Sequence, residues 1–243
     1  MTPGGILLED ICFSYPNQNI FRDFNIDIPA SKVSVILGPS GCGKTTLLNI
    51  IHGIITPQRG VIAKEHNNTI SYLFQEPRLL PWKTVSHNIE LILKNFYEQK
   101  QRQKITSHYL ELIGLSEFAN YYPAELSGGM RQRVAIARAF AYPAEIILMD
   151  EPFQALDPGL KLNLTKLFSS LWIKDNRTSL FVTHDTAEAV FLGDEIFVLS
   201  AVKPSTLVAH FTNPVPREER DQKNPECRKI EEKLYGLLTN IQP

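Results

Sequence analysis

Gly38-Pro39-Ser40-Gly41-Cys42-Gly43-Lys44-Thr45 is the segment of this chain best equipped for chemistry. Its spacing is G-x-x-x-x-G-K-[ST], that of a loop which cradles phosphates. Glycines open backbone angles closed to other residues and let the chain approach an anion. Amide N–H groups then converge on the phosphates, and a following helix adds positive partial charge at its N-terminus. Lys44 is expected to bridge the β- and γ-phosphates of a nucleotide; alone, the motif establishes only a nucleotide triphosphatase or kinase. The Thr45 hydroxyl is expected to bind Mg²⁺, with Thr46 the last residue of the nucleotide-contacting run. An ordinary Gly-rich turn has no need of Lys-Thr after its last glycine. Cys42 fills an unconstrained position and is read as tolerated there, not catalytic.

Two further segments fit the same ligand. Ile146-Ile147-Leu148-Met149 reads as a buried strand ending in Asp150-Glu151. Ligands of α/β sheets bind at the carboxyl ends of the strands, so Asp150 is a candidate magnesium ligand. Glu151, one residue further on, stands where a water could attack the γ-phosphate in line. Leu126-Ser127-Gly128-Gly129-Met130-Arg131-Gln132-Arg133 opens a helix with Ser-Gly-Gly, a second anion-binding N-terminus.

The elements that must position these groups are legible as hydrophobic periods. Ile6, Leu8, Ile11 and Phe13, a turn at Tyr15-Pro16-Asn17, then Phe24, Ile26 and Ile28 predict half-buried antiparallel strands. Val33–Leu37 is nearly continuous apolar sequence, as for a strand covered on both faces. Strand-like runs return at 146–149, 180–183 and 196–200. Between Thr84 and Tyr122 the period becomes helical (Ile89, Ile92, Leu93, Phe96, then Ile105, Tyr109, Leu112, Ile113), with Glu98–Lys104 read as a solvated link. A parallel-sheet core interrupted by a helical insertion follows. After Lys203 the tail is Pro-rich and mixed in charge, with one amphipathic helix expected near Ile230–Leu238.

Composition bounds the class. The chain has 243 residues, 25 Lys+Arg against 26 Asp+Glu, and 43% hydrophobic residues, which reads as globular with no global reason to bind nucleic acid. No apolar run approaches the ~20 residues of a membrane-spanning helix, and the N-terminus reads as lacking a secretory signal. Cys12, Cys42 and Cys227 are odd in number and far apart, so neither a disulfide framework nor a CxxC metal site is expected.

With these motifs in order, the chain resembles ATP-binding cassette (ABC) ATPases over roughly residues 5–200. The Leu126–Arg133 run resembles the family signature. The resemblance implies an α/β fold: a P-loop NTPase (RecA-like) core with an N-terminal antiparallel β subdomain and an inserted α-helical subdomain. The single ATPase domain, 1–243, then divides into a nucleotide-binding core (1–75 and 144–203), a helical subdomain carrying the signature (76–143) and a C-terminal tail (204–243). It also implies a head-to-tail dimer of two copies. Each ATP lies between the phosphate loop of one and Ser127, Gly128 and Gly129 of the other. Tyr15 looks like the aromatic that stacks on adenine. Gln75 looks like the glutamine that contacts magnesium and water and begins the insertion. Asp157, in Ala155-Leu156-Asp157, looks like part of the loop crossing the dimer interface. His184, in Thr183-His184-Asp185, looks like the switch histidine that contacts the γ-phosphate and positions Glu151. Catalysis is thereby assigned to Glu151, His184, Gln75 and Lys44, and Mg²⁺ to Thr45, Gln75 and Asp150.

Leu79-Leu80-Pro81-Trp82 and the residues after it resemble importers of nitrate, aliphatic sulfonates and taurine. A cassette of this kind pairs with separate permease subunits, here docking near Leu79, Leu80 and Trp82, and indirectly with a substrate-binding protein. It would sit on the cytoplasmic face of the inner membrane. Importers of riboflavin or thiamine precursors, and non-transport cassettes, remain alternatives. Gln154 departs from the pattern, standing where relatives usually carry a small residue.

Overall fold

The computed structural model describes residues 5–64, 69–154 and 156–241. The chain divides into two units: one of residues 1–68, 148–151 and 176–243, the other of 69–147 and 152–175.

The first unit holds two sheets. β1 (Ile6–Tyr15), β2 (Gln18–Ile28) and β4 (Arg59–Lys64) form an antiparallel sheet in the order β2-β1-β4. The alternation of Ile6, Leu8 and Ile11 against Ile26 and Ile28 puts one face in the core, where all five are buried. The second sheet contains β3 (Val33–Leu37), β7 (Thr178–Thr183), β8 (Glu195–Leu199) and β9 (Leu207–Thr212). β3 pairs in parallel with β7 and β8, and β9 closes the edge antiparallel to β8. Leu148–Asp150, the carboxyl half of β6 (Ile146–Asp150), lies beyond β7 in the same order. Every residue of β3, β7 and β8 is buried, as their unbroken apolar runs require. α1 (Lys44–His52) follows β3, α6 (Thr186–Leu192) follows β7, and α7 (Pro225–Ile241) packs on α6.

The tail is more structured than its composition predicts. β9 lies where no strand was expected, because it is an edge strand whose apolar residues Leu207 and Val208 face outward. It is fastened by a polar cluster. Glu195 accepts from Lys32 Nζ at 2.6 Å and Thr212 Oγ1 at 2.8 Å, and pairs with His210 Nε2 at 2.8 Å. Burial pushes the Glu195 carboxyl up, but these partners together outweigh it and hold it below its usual value. The expected amphipathic helix is α7, longer than the predicted core of its pattern at both ends.

The second unit is mainly helical: α2 (Val85–Glu90) running into a 3-10 turn at Leu91–Leu93, α3 (Gln99–Leu112), α4 (Gly128–Ala141) and α5 (Pro158–Asp175), with the short strand β5 (Ile70–Leu73). Val85, Ile89, Leu93, Leu110, Ile113, Leu126, Val134 and Ala137 form its core. The link expected at Glu98–Lys104 is instead the first turns of α3. Gln-Lys-Gln-Arg-Gln-Lys is solvated, but these straight side chains favour helix. Arg102 ties that turn down, bonding Glu90 at 3.3 Å and the Tyr97 carbonyl at 2.9 Å. Phe96 leaves the expected helical stripe and is 44% exposed, its ring set edge-on against Tyr142.

Candidate functional site

β3 delivers the chain to the phosphate loop, and α1 begins at Lys44 directly after it. Gly43 sits at φ 105°, a left-handed angle costly for any residue with a Cβ. A Cβ there would also stand 2.8 Å from Ile20 Cγ2, so the loop's glycine is required twice over. Lys44 is only 4% exposed, and its Nζ bonds the Gly38 carbonyl at 2.8 Å and the Pro39 carbonyl at 3.0 Å. A buried cation held by neutral carbonyls needs an anion; breaking a buried pair costs ~3–5 kcal/mol. Glu151 Oε1 supplies it at 3.1 Å.

Glu151 reaches that position through an unusual backbone. It follows β6 at φ 42°, left-handed for a non-glycine residue, and its N–H donates to the Val182 carbonyl at 3.1 Å. Such angles cost on the order of 1–3 kcal/mol and gather at functional sites. The other carboxylate oxygen meets His184 Nδ1 at 2.8 Å. Lys44, Glu151 and His184 therefore form one chain of contacts at the carboxyl ends of β3, β6 and β7. Thr45 Oγ1 lies 3.0 Å from Asp150 Oδ1, so a hydroxyl and a carboxylate converge beside the loop. That hard-oxygen pair fits Mg²⁺, which takes one or two protein ligands and completes its shell with phosphates and water.

Around this centre the remaining loop residues are graded in exposure: Gly38 and Cys42 are buried, Pro39 is half-buried, and Ser40 and Gly41 are exposed. Burial pushes the Cys42 thiol up, which suits a packing role. Tyr15 lies at the end of β1, 43% exposed, with its hydroxyl 3.4 Å from Thr46 Oγ1 and its ring edge-on to Phe13. Thr46 itself is buried in α1.

One supporting residue escapes sequence reasoning. Ser205 is fully buried, donates through Oγ to the Cys42 carbonyl at 2.6 Å, and through its N–H to the Ile20 carbonyl at 2.7 Å. It braces the phosphate loop from a tail segment with no motif, and no local pattern announces it.

In the second unit, Ser127 caps α4, accepting from the Met130 N–H at 3.2 Å. Ser127 and Gly128 are exposed and Gly129 is buried; a Cβ on Gly129 would stand 2.7 Å from Leu160. α4 holds its neighbours by polar side chains. Gln132 Nε2 bonds the Pro152 carbonyl at 2.6 Å, and Arg138 bonds the Pro77 and Arg78 carbonyls at 2.8 and 2.9 Å. Gln75, exposed beyond β5, donates from Nε2 to Gln154 Oε1 at 2.5 Å. Asp157 accepts from the Leu160 N–H at 2.9 Å as α5 begins, while Ala155 lies outside the described residues. The structure thus brings Lys44, Thr45, Asp150, Glu151 and His184 together in the first unit. Gln75, Ser127, Gly128, Gly129 and Asp157 belong to the second.

The comparisons with known proteins agree on what this arrangement is. The family model for the ABC transporter domain matches residues 21–154. The chain is 38% identical to the nitrate import ATP-binding protein NrtD of Synechocystis, over 89% of this chain and 87% of that one. It is 34% identical to the aliphatic sulfonates import ATP-binding protein SsuB 1 of Agrobacterium fabrum, over 95% and 82%. Among solved structures, the dimeric post-hydrolysis state of the ATP-binding cassette MJ0796, bound to ADP and Pi, superposes with a TM-score of 0.73 at 29% identity, covering 87% of this chain and all of that one. The fold is that of a P-loop NTPase with an antiparallel N-terminal sheet, and the chain belongs to the ABC transporter family. Within that family it is an ATP-binding cassette, an ATPase coupled to transport.

Proposed function

We propose that this cassette is the ATP-hydrolysing subunit of an importer for a small anionic or zwitterionic solute of the nitrate, sulfonate or taurine kind. It works as a head-to-tail dimer bound to separate permease subunits at the cytoplasmic face of the membrane. The observation that carries the ATPase role is the Lys44–Glu151–His184 chain beside the Thr45–Asp150 oxygen pair. The solute class is supported by the named relatives, which are import ATP-binding proteins for nitrate and aliphatic sulfonates.

In this reading the γ-phosphate of ATP displaces Glu151 from Lys44, and the freed carboxylate turns to a water in line with the phosphorus. His184, already 2.8 Å from Glu151, keeps that carboxylate aimed. Tyr15 stacks on the adenine, and the loop amides from Ser40 to Thr46 hold the phosphates. Phosphoryl transfer to water depends mainly on positioning and charge neutralisation, which these residues offer without covalent chemistry. Mg²⁺, held by Thr45, Asp150 and Gln75, supplies charge neutralisation at the phosphates when bound. Ser127, Gly128 and Gly129 of the second copy, with Asp157 at the interface loop, close the site.

Docking of the permease is assigned to the helical subdomain (76–143). Trp82 is 68% exposed and Leu91 45%, large apolar groups on a segment beginning with half-buried Leu79 and Leu80. Beginning at the next residue, Lys83, a cavity of about 140 Å³ is lined by Lys83, His87, Glu90, Leu91, Lys94 and Arg102. An apolar anchor beside a basic groove suits a short permease helix. None of the helices among the described residues is long and apolar enough to cross a membrane. The test is gentle purification of the tagged protein from membranes, for wild type and Trp82→Ala. A permease and a solute-binding protein should come with the wild type and be depleted with Trp82→Ala, whose melting temperature should be unchanged. Recovery of a non-transport partner from wild type would overturn the importer reading.

A further inference from the structure

We infer that Gln154 is a positioning residue that clasps Gln75 and fixes which end of its amide is offered until a motion opens the clasp. The inference rests on the ATPase reading for its kinetic consequence, but its geometry lies wholly within one unit.

Four side-chain contacts close a ring there. The backbone after Gln75 is held at Pro77 and Arg78 by Arg138 of α4. Six residues before Arg138 on the same helix, Gln132, 3% exposed, grips the Pro152 carbonyl at 2.6 Å. Two residues past Pro152, Gln154 Oε1 receives the Gln75 Nε2 at 2.5 Å. α4 is thus the rigid spine, and the Gln75–Gln154 bond is the only link of the ring made between two exposed side chains. It is the link that a motion can open.

The bond also orients a group. A glutamine amide has one acceptor end and one donor end. With Nε2 committed to Gln154, Gln75 is left with its carbonyl oxygen as the free end. That is the end a hard cation or a water proton requires. A small residue at position 154 has no acceptor and cannot reach Gln75, so the side-chain torsions of Gln75 would be free to place either end forward. Gln154 therefore sets both which atom of Gln75 is offered and when it is withdrawn.

The experiment is a double-mutant cycle on the full-length chain with Gln75→Ala, Gln154→Ala and the pair, together with Gln154→Glu, which keeps the acceptor. Gln154→Ala should lower kcat about three- to tenfold, the size expected for one neutral hydrogen bond, with KM for ATP and melting temperature nearly unchanged. In the Gln75→Ala background it should lower kcat by less than about twofold, because the group it acts through is gone. Gln154→Glu should restore most of the rate. In parallel, the side-chain amide resonance of Gln75 in nucleotide-free protein should shift on Gln154→Ala. Equal losses in both backgrounds, or an unmoved Gln75 resonance, would overturn the clasp. Absence of ATP turnover in wild type would instead count against the ATPase reading, and the resonance would still decide the clasp.

Discussion

Two glycine-rich helix starts in this chain look alike in sequence and are built for different work. The loop before α1 surrounds Lys44 with two carbonyls and a carboxylate, and its helix carries a threonine set beside Asp150. The start of α4 has a capping serine and one exposed glycine, Gly128, with Gly129 buried behind it; its first turn carries no acid, and Arg131 is spent on the Leu126 carbonyl at 2.5 Å. One gathers a buried cation, a carboxylate and a hydroxyl–carboxylate pair at a single loop, the set proposed to hold ATP and Mg²⁺. The other presents only the capping hydroxyl of Ser127 and the exposed Gly128 to solvent, which is at most half of an anion site. The difference is why a single copy is proposed to need a second: the half-site has value only against another molecule's phosphate loop.

That comparison can be broken in graded steps. A large effect on the chemical step alone belongs to Glu151→Gln. The amide keeps the size of the side chain and removes the base, so steady-state hydrolysis should fall about 10²- to 10⁴-fold while ATP still binds and a closed dimer accumulates. Turnover near wild type, measured by phosphate release, would remove Glu151 from that role. Next comes a contrast between the two helix starts. Lys44→Ala should abolish ATP binding by the isolated chain, because it deletes the buried charge of the complete cradle. Ser127→Arg should leave binding by the isolated chain within about twofold, since α4 contributes only after dimerisation, yet abolish hydrolysis. Titration with a fluorescent ATP analogue separates them, and equal losses of affinity would erase the distinction. The smallest effect is Ser205→Ala. Loss of one buried hydrogen bond to the Cys42 carbonyl costs ~1–3 kcal/mol of loop order. Part of that should appear as a several-fold weaker ATP affinity, together with a melting temperature lower by a few degrees. Unchanged affinity would mean that the loop needs no brace from the tail.

Legibility in the sequence followed how local each feature is. The phosphate loop, Asp150-Glu151 and the Ser127 helix start are short runs whose residue types answer to one ligand, so they could be read without a structure. The buried strands β3, β6, β7 and β8 were equally plain, because burial on both faces leaves no polar positions to blur the pattern. Features that depend on distant partners were not legible. β9 has the outward apolar residues of an edge strand and is fixed by Glu195 of β8, itself held by Lys32 just before β3. Ser205 braces a loop 163 residues away. The amino-terminal turns of α3 read as a link because their hydrophobic period is absent, although propensity and Arg102 suffice to make them helical. Gln132 and Arg138 sit inside the signature helix, and nothing in their spacing tells that they hold the backbones of two loops.

The central claim, that a finished cradle and a half-site from two copies make one catalytic centre, is tested most directly by mixing inactive subunits. Lys44→Ala and Ser127→Arg proteins are prepared with different tags, mixed, and the doubly tagged heterodimer is isolated before phosphate release is measured. In that heterodimer one site carries both lesions and the other carries neither, so hydrolysis should return to a substantial fraction of the wild-type rate although each parent alone is inactive. A confirmed heterodimer no more active than its parents would contradict shared sites.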